Sequence, residues 1–227
     1  MQRYQAEYDN ICFVEKNVPF NFSQLCNYGV SEATGEYILL LNNDIEVRSS
    51  DWLERLLEHA QRDDVGAVGG KLFFSDGRIQ HAGVVVGMHE AAGHSHLYFS
   101  GDSIGYYGSL MITRDVSAVT GAMLMVSRKK YDEVSGLDEE NLAVAYNDVD
   151  LCLKLVDKGY RNIFTPFVHA VHYESASRGY EDNPEKIARL EKERNHFVTK
   201  WQSFIDGGDP CFNPNFDLAN FDFKIKL

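Results

Sequence analysis

Charge of one sign is scarce in this chain. Of 227 residues, 22 are Lys or Arg against 34 Asp or Glu, a formal charge of −12. No basic patch or stripe stands out, which argues against a nucleic-acid partner. A phosphate ligand stays open, because one bound metal ion reverses the sign of a local field. Long hydrophobic runs are missing too. No apolar stretch approaches the roughly 18 residues of a membrane span, and the first positions carry no signal-peptide pattern. The chain is expected to be soluble and cytoplasmic, peripheral to the inner membrane if it belongs to a longer polypeptide. Cysteine is sparse: Cys12, Cys26, Cys152 and Cys211 form no Cys-x-x-Cys pair. Cys26 and Cys152 fall at apolar positions of helical patterns and read as buried free thiols in a reducing compartment. Internal repeats and low-complexity linkers are absent as well.

What is present is an ordinary globular composition, 44% hydrophobic and 25% charged, of a length suited to one large domain with or without an appendage. Ile11 to Val14 reads as a short strand. The spacing of Phe22, Leu25, Cys26 and Val30 predicts a helix that Gly35 ends. Tyr37 to Leu41 is an apolar run of the kind found in a central strand covered on both faces. Ser50 is placed to cap a helix whose Trp52, Leu53, Leu56, Leu57 and Ala60 share one face. Val65 to Phe74 and Ile79 to Val86 read as strands joined at Asp76-Gly77. Residues 87–117 read as a long loop folded over a site. A strand over Val119 to Val126 follows, then helices over Arg128 to Ser135 and Val149 to Lys158. A strand over Tyr160 to Val168 comes next, and Pro184 opens a helix reaching Trp201. Early alternation of strand and helix, followed by hairpin-like strands, predicts a mixed α/β sheet.

Three polar clusters interrupt these elements. Asn42-Asn43-Asp44 closes the apolar strand. It is either a common Asn/Asp turn or a ligand site at a strand's carboxyl end, suited to a hard divalent cation carrying phosphate. Asn147-Asp148-Val149-Asp150 stands at a helix start. There Asp148 is an N-cap or a general base facing a substrate hydroxyl, and Asp150 is well placed for the helix dipole. The run from His169 through His172 to Ser175, Ser177, Arg178 and Gly179 follows a strand and gathers imidazoles, hydroxyls and a guanidinium suited to phosphate. His81, His89, His94 and His96 lack a zinc framework and read as loop or substrate-facing residues.

A resemblance now becomes specific. The motifs Pro19-Phe-Asn-Phe-Ser23, Asn27-Tyr-Gly29, Gly35 to Asp44, Asp51-Trp-Leu53, Gly77-Arg-Ile-Gln-His-Ala-Gly83, Ala118-Val-Thr-Gly-Ala122 and Leu142 to Leu151 resemble the middle of a glycosyltransferase family 2 domain. The runs His172 to Gly179 and Asp209 to Asn215 resemble one branch, the bacterial enzymes of O-antigen and rhamnan-type polysaccharide assembly. The resemblance extends from about residue 8 to about residue 217. It implies an α/β, GT-A-like mixed sheet flanked by helices. It also implies an inverting, metal-dependent transfer from a nucleotide-sugar to a saccharide or lipid-linked saccharide acceptor, with Mn²⁺ or Mg²⁺ as the divalent cation. Carried over to this sequence, Asp44 and His172 become metal ligands, His172 fitting better than His169. Asp148 becomes the catalytic base, with Asn147 where the family has Glu. Asn42 stands where the family has an acid, and with Asn43 and Arg178 it falls to the donor diphosphate.

The family's opening motif and its acidic turn are not found before Asn21, so the domain reads as truncated at its N-terminus. Residues 1–205 are expected to form this domain and residues 206–227 an irregular arm. Loss of the neighbouring strands would bare a sheet edge at Tyr37 to Leu41, which favours a homodimer through that edge. A non-catalytic carbohydrate-binding or scaffold fragment is the alternative function. A metal-dependent nucleotidyltransferase or hydrolase on a similar fold is a third.

Overall fold

Asn21 sets the first helix. Its side chain accepts from the Gln24 amide at 2.9 Å, an N-cap that opens α1, Phe22–Glu32. In the computed structural model, which describes residues 7–8, 10–173, 183–219 and 223–226, α1 leads into strand β1, Tyr37–Leu41. The turn at Asn42–Asp44 passes the chain to β2, Ile45–Val47. Helix α2 covers Trp52–Ala60 and strand β3 covers Val65–Phe73. Then come β4, Ile79–His81, β5, Val84–Val86, β6, Ala92–His94, β7, Arg114–Val116, and β8, Met123–Ser127. The remainder is α3, Arg128–Glu133, α4, Asn147–Asp157, β9, Arg161–His172, α5, Pro184–Lys200, and α6, Gln202–Gly207.

Among the described residues a seven-stranded sheet runs β1-β8-β3-β9-β2, with β4 on β3 and β7 on β9. The β3–β9 pair is parallel and the other pairs are antiparallel, so the sheet is mixed as expected. One face packs on α2, where Leu56 and Ala60 meet Val65, Val68, Leu72, Met123 and Met125. The other packs on α1, α4 and α5 through Val30, Leu151, Leu155 and Phe197 against Leu40, Leu124 and Phe164. Each such fully buried Leu contributes about 2 kcal/mol relative to exposure.

Several expectations are corrected. Residues 11–14 have no strand structure. Among the described residues β8 is the one neighbour of β1, which therefore stands at the edge expected for Tyr37 to Leu41 and not at the sheet's centre, with the terminal Leu41 44% exposed. Asp51, not Ser50, occupies the cap position of α2, its carboxylate taking the Arg55 Nε–H at 2.8 Å, and Leu53 faces outward. The run Ile79 to Val86 is two strands in two sheets. Gly83, at φ 92°, breaks it, and β5 pairs with β6 instead of continuing. The stretch 87–117 is not a plain loop, since β6, β7 and two short 3₁₀ turns lie within it. Residues 119–122 stay outside β8, so that strand starts four residues later than its apolar run.

The largest correction concerns β9, which does not stop at Val168 but continues through His172. It does so across a bulge. Gly70 pairs with Thr165 while Lys71 pairs with His169, so Pro166, Phe167 and Val168 are extra on β9. Proline at a bulge keeps its missing N–H from breaking a ladder bond.

After α6 the chain is held by Asp209, whose carboxylate accepts from Val86 N at 2.7 Å, Ser117 Oγ at 2.6 Å and Cys211 N at 2.7 Å. Among the described residues the rest of the tail is irregular except for a bridge between Phe216 and Ile225. Its Phe212, Phe216 and Phe223 form an aromatic cluster with Tyr106, Phe216 edge-on to the other three rings and Phe223 stacked on Tyr106.

Candidate active site

The Asn42–Asp44 segment is a turn, closed by the Ile45 amide on Asn42 O at 3.3 Å, and it is also where the site forms. At its near end the Asn42 amide donates to Ala122 O at 3.0 Å. At its far end Asp44 O accepts from Tyr173 N at 2.9 Å, and the next pair in register is Ile45 with His172. The antiparallel β2–β9 pairing therefore carries Asp44 to His172. Asp44 Oδ1 lies 3.2 Å from His172 Nε2, with side chains 14% and 12% exposed. Asn42 Nδ2 lies 3.4 Å from the same nitrogen. Asn43 is exposed at the tip of the turn. His169 points elsewhere, its ring edge-on to Phe73. Burial beside Lys71 lowers its pKa. Arg178 lies outside the described residues.

Asp44 Oδ1 is buried and has no hydrogen-bond donor. A carboxylate oxygen removed from water without a donor is costly, by about 1–3 kcal/mol or more. A cation at that oxygen would offset the cost. The donor set fits one: a carboxylate oxygen, an imidazole nitrogen and an amide side by side suit Mn²⁺ or Mg²⁺, which ordinarily keep few protein ligands and take the rest from phosphate and water. Among the described residues no group of three His, Cys, Asp or Glu gathers for a closed all-protein cage.

Asp148 sits across the 120–122 loop from this pair. It is not the N-cap of α4: that place belongs to Tyr146 at φ 60° and ψ 1°, a left-handed conformation costly for a non-glycine residue. Stacking on Phe197, with centroids 5.0 Å apart, holds the Tyr146 ring. Asp148 Oδ1 accepts from Val149 N at 2.8 Å and Oδ2 from Gly121 N at 2.8 Å. Each oxygen keeps a lone pair for a hydroxyl. Gly121 has no room to spare, since a Cβ there would stand 3.3 Å from Asp148 Cβ. Asp150 answers to more than the helix dipole. Fully buried, it binds Trp201 Nε1 at 2.8 Å and Lys200 Nζ at 2.6 Å, with Lys154 Nζ at 3.4 Å. It anchors α4 to α5.

Three residues around the site take roles that local sequence does not assign. Gln80 Oε1 lies 2.8 Å from His172 Nδ1. Glu193, buried on α5, accepts from Ala145 N at 2.6 Å and Val144 N at 3.3 Å, fixing the chain just before Asp148. His81 is a core residue of β4, not a loop residue. Its Nε2 takes the Gly83 and Thr120 amides at 3.3 and 3.4 Å, and its Nδ1 lies 2.8 Å from His94 Nδ1. Burial, then the neighbouring His94, Arg114 and His172, hold its pKa well below the ordinary value. His96 is likewise interior, between Ser95 and Ser109. The signal that sequence lacks is long-range: Gln80 meets His172, Glu193 meets the 144–145 amides and His81 meets Thr120 across dozens of residues.

Residues 1–135 match the glycosyl transferase family 2 model, and the chain belongs to that family. It is 47% identical over 208 residues to the uncharacterized protein y4gI of Sinorhizobium fredii. Over 216 residues it is 37% identical to the O-antigen biosynthesis protein RfbC of Myxococcus xanthus. Each match takes in 92% of this chain, which spans only 23% and 16% of those relatives. Among solved structures, GalNAc-T7 with UDP, GalNAc and Mn²⁺ superposes with a TM-score of 0.69 at 14% identity, over 90% of this chain and 40% of that one. The mannosyltransferase PcManGT from Pyrobaculum calidifontis, in complex with GDP-Man and Mn²⁺, gives 0.58 at 16%, over 90% and 54%. The fold is thus GT-A. No helix among the described residues is long and apolar enough to cross a membrane.

Proposed function

We infer that this chain carries the metal-binding and base-bearing part of an inverting glycosyltransferase. It would move a sugar from a nucleotide-sugar donor to a saccharide or lipid-linked saccharide acceptor in cell-surface polysaccharide synthesis. The observation that carries this reading is the buried, donor-less Asp44 Oδ1 set 3.2 Å from His172 Nε2. Asp44 and His172 would hold Mn²⁺ or Mg²⁺, with Asn42, Asn43 and Arg178 toward the donor diphosphate. Bound there, the cation supplies charge neutralisation for the departing nucleoside diphosphate.

The chain's own residues supply the rest. Asp148 takes the proton of the acceptor hydroxyl as that oxygen attacks the sugar carbon. The Gly121 and Val149 amides fix the carboxylate's orientation, leaving one lone pair per oxygen facing outward. One base on the face opposite the leaving group inverts the anomeric centre, as in a single displacement. Family membership and the O-antigen relative support the transfer chemistry. Titration of the chain with Mn²⁺ and a panel of nucleoside diphosphates tests the reading. Metal-dependent nucleotide binding is expected, and its absence would favour a non-catalytic scaffold.

A further inference from the structure

The hydrogen-bond environment of His172 fixes more than its position. Its Nδ1 faces Gln80 Oε1 at 2.8 Å. A carbonyl oxygen only accepts, so Nδ1 carries the proton and donates it. Nε2 of the neutral ring then holds a lone pair. The other side of the ring agrees independently: Nε2 faces the Asn42 amide nitrogen, a donor, at 3.4 Å. It also faces Asp44 Oδ1, which no donor reaches. Two electron-pair donors 3.2 Å apart repel unless something positive lies between or beside them.

Gln80 can impose this because it is itself fixed. It is 5% exposed, and it is the middle residue of β4, whose flanking Ile79 and His81 pair with Phe73 and Leu72. A strand-borne side chain held by packing is a rigid acceptor, unlike one on a loop. The three groups come from separate segments: β4 brings Gln80, the turn after β1 brings Asp44, and the end of β9 brings His172.

We propose that Gln80 is a positioning residue that locks His172 in the Nδ1–H tautomer, so that its Nε2 lone pair and Asp44 Oδ1 stand ready as a preformed pair of cation ligands. This rests on the metal-dependent reading above and adds to it the group that makes His172 a ligand before any metal arrives. Outer partners of this kind set ring orientation and ligand basicity, and their loss typically costs about 10–100-fold in metal affinity.

The test separates the two readings. Long-range ¹H–¹⁵N correlation spectra of the metal-free chain, at about two pH units above the ordinary imidazole pKa of roughly 6.5, report the His172 tautomer directly. The wild-type ring is expected to be protonated on Nδ1. Gln80→Leu, which removes the acceptor, is expected to move the proton to Nε2 and to weaken Mn²⁺ binding, followed by calorimetry, about 10–100-fold. Gln80→Glu, which restores an acceptor, keeps the wild-type tautomer. A wild-type ring protonated on Nε2 overturns the proposal, as does a Gln80→Leu protein with unchanged tautomer and Mn²⁺ affinity. If Gln80→Leu does not fold, the wild-type and Gln80→Glu spectra decide. A wild-type chain with the expected tautomer but no Mn²⁺ binding leaves Gln80's hold on the ring standing and removes the metal reading instead.

Discussion

The Gly121 amide donates to Asp148 Oδ2 at 2.8 Å, while its neighbour Ala122 accepts from the Asn42 amide at 3.0 Å. One peptide step thus joins the carboxylate at the start of α4 to the acidic turn at the end of β1. An Ala side chain at position 121 would press on Asp148 Cβ at 3.3 Å. Gly121→Ala should therefore displace the carboxylate by a few tenths of an ångström. Turnover should fall about tenfold, while the unfolding midpoint moves by only a few degrees, corresponding to about 1 kcal/mol. Parallel kinetics and calorimetric melting check the split.

Asp148→Asn keeps the shape but removes the basic oxygen. Transfer should drop about 10²–10⁴-fold, with Mn²⁺ and nucleotide affinity near wild type. The Asn side chain can still accept from one of the two amides, so a folded protein is expected. An Asp148→Asn chain that fails to fold would make this carboxylate a structural tie alone.

Asp44→Ala removes the oxygen that lacks a donor. Metal-dependent nucleotide binding should disappear, yet stability in metal-free buffer should hold or rise, because an uncompensated buried acceptor is gone. Chelation of wild-type protein should reproduce the binding loss without the gain in stability. Thermal melts with and without Mn²⁺ read both effects, since a ligand that binds only the folded state raises the midpoint.

Acidification should destabilise the fold through its interior imidazoles. Burial lowers His96 to about 3 and holds His81 well below the ordinary value. Below the ordinary imidazole pKa of roughly 6.5, the unfolded chain takes up protons that the folded chain refuses. The stabilisation is complete above that value and is lost as pH falls toward 3, at up to about 1.4 kcal/mol per pH unit for each group. Asp209, raised by burial, works the opposite way just above the ordinary carboxylate range. Melting midpoints between about pH 7 and pH 5 should fall in wild type and fall less in His96→Asn.

Among the described residues β1 has a partner strand on one side alone. Pairing of a second copy along that edge is the form a homodimer would take. Sedimentation should show mass rising with concentration, and Leu39→Pro should abolish the rise. A constant monomer mass would remove the dimer.

Local pattern carried much of the fold. Helices α1 and α4 follow from apolar spacing, and α5 from Pro184 in its first turn. The Asp76-Gly77 turn follows from Gly77 at φ 85°. What pattern could not carry is pairing. An apolar run looks the same at a sheet's edge as at its centre, so the spacing of β1 alone does not tell the two apart. Ile79 to Val86 looks like one strand because its break, Gly83, is felt only through Val116, which a Cβ there would meet at 2.6 Å. In the site, residues next to their motif were visible in sequence. The roles of Gln80, Glu193 and His81 were not, because they rest on partners such as His172, Ala145 and Thr120 that only the fold brings near.

The bulge in β9 reaches further than its three extra residues. Before it, odd positions such as Ile163 face the α2 side and even ones such as Phe164 face away. After it the even position Ala170 faces the α2 side, where Val168, the last of the three extra residues, also packs. Side chains on a strand alternate with a period of two, so an odd insertion reverses the phase of everything downstream. His172 follows in that reversed series and owes its meeting with Asp44 and Gln80 to the length of a segment it does not touch. The exposed Phe167 should therefore accept many changes of identity, whereas the segment should accept no single-residue insertion or deletion. Any such change in length would turn the imidazole to the far face of the sheet with its sequence motif intact.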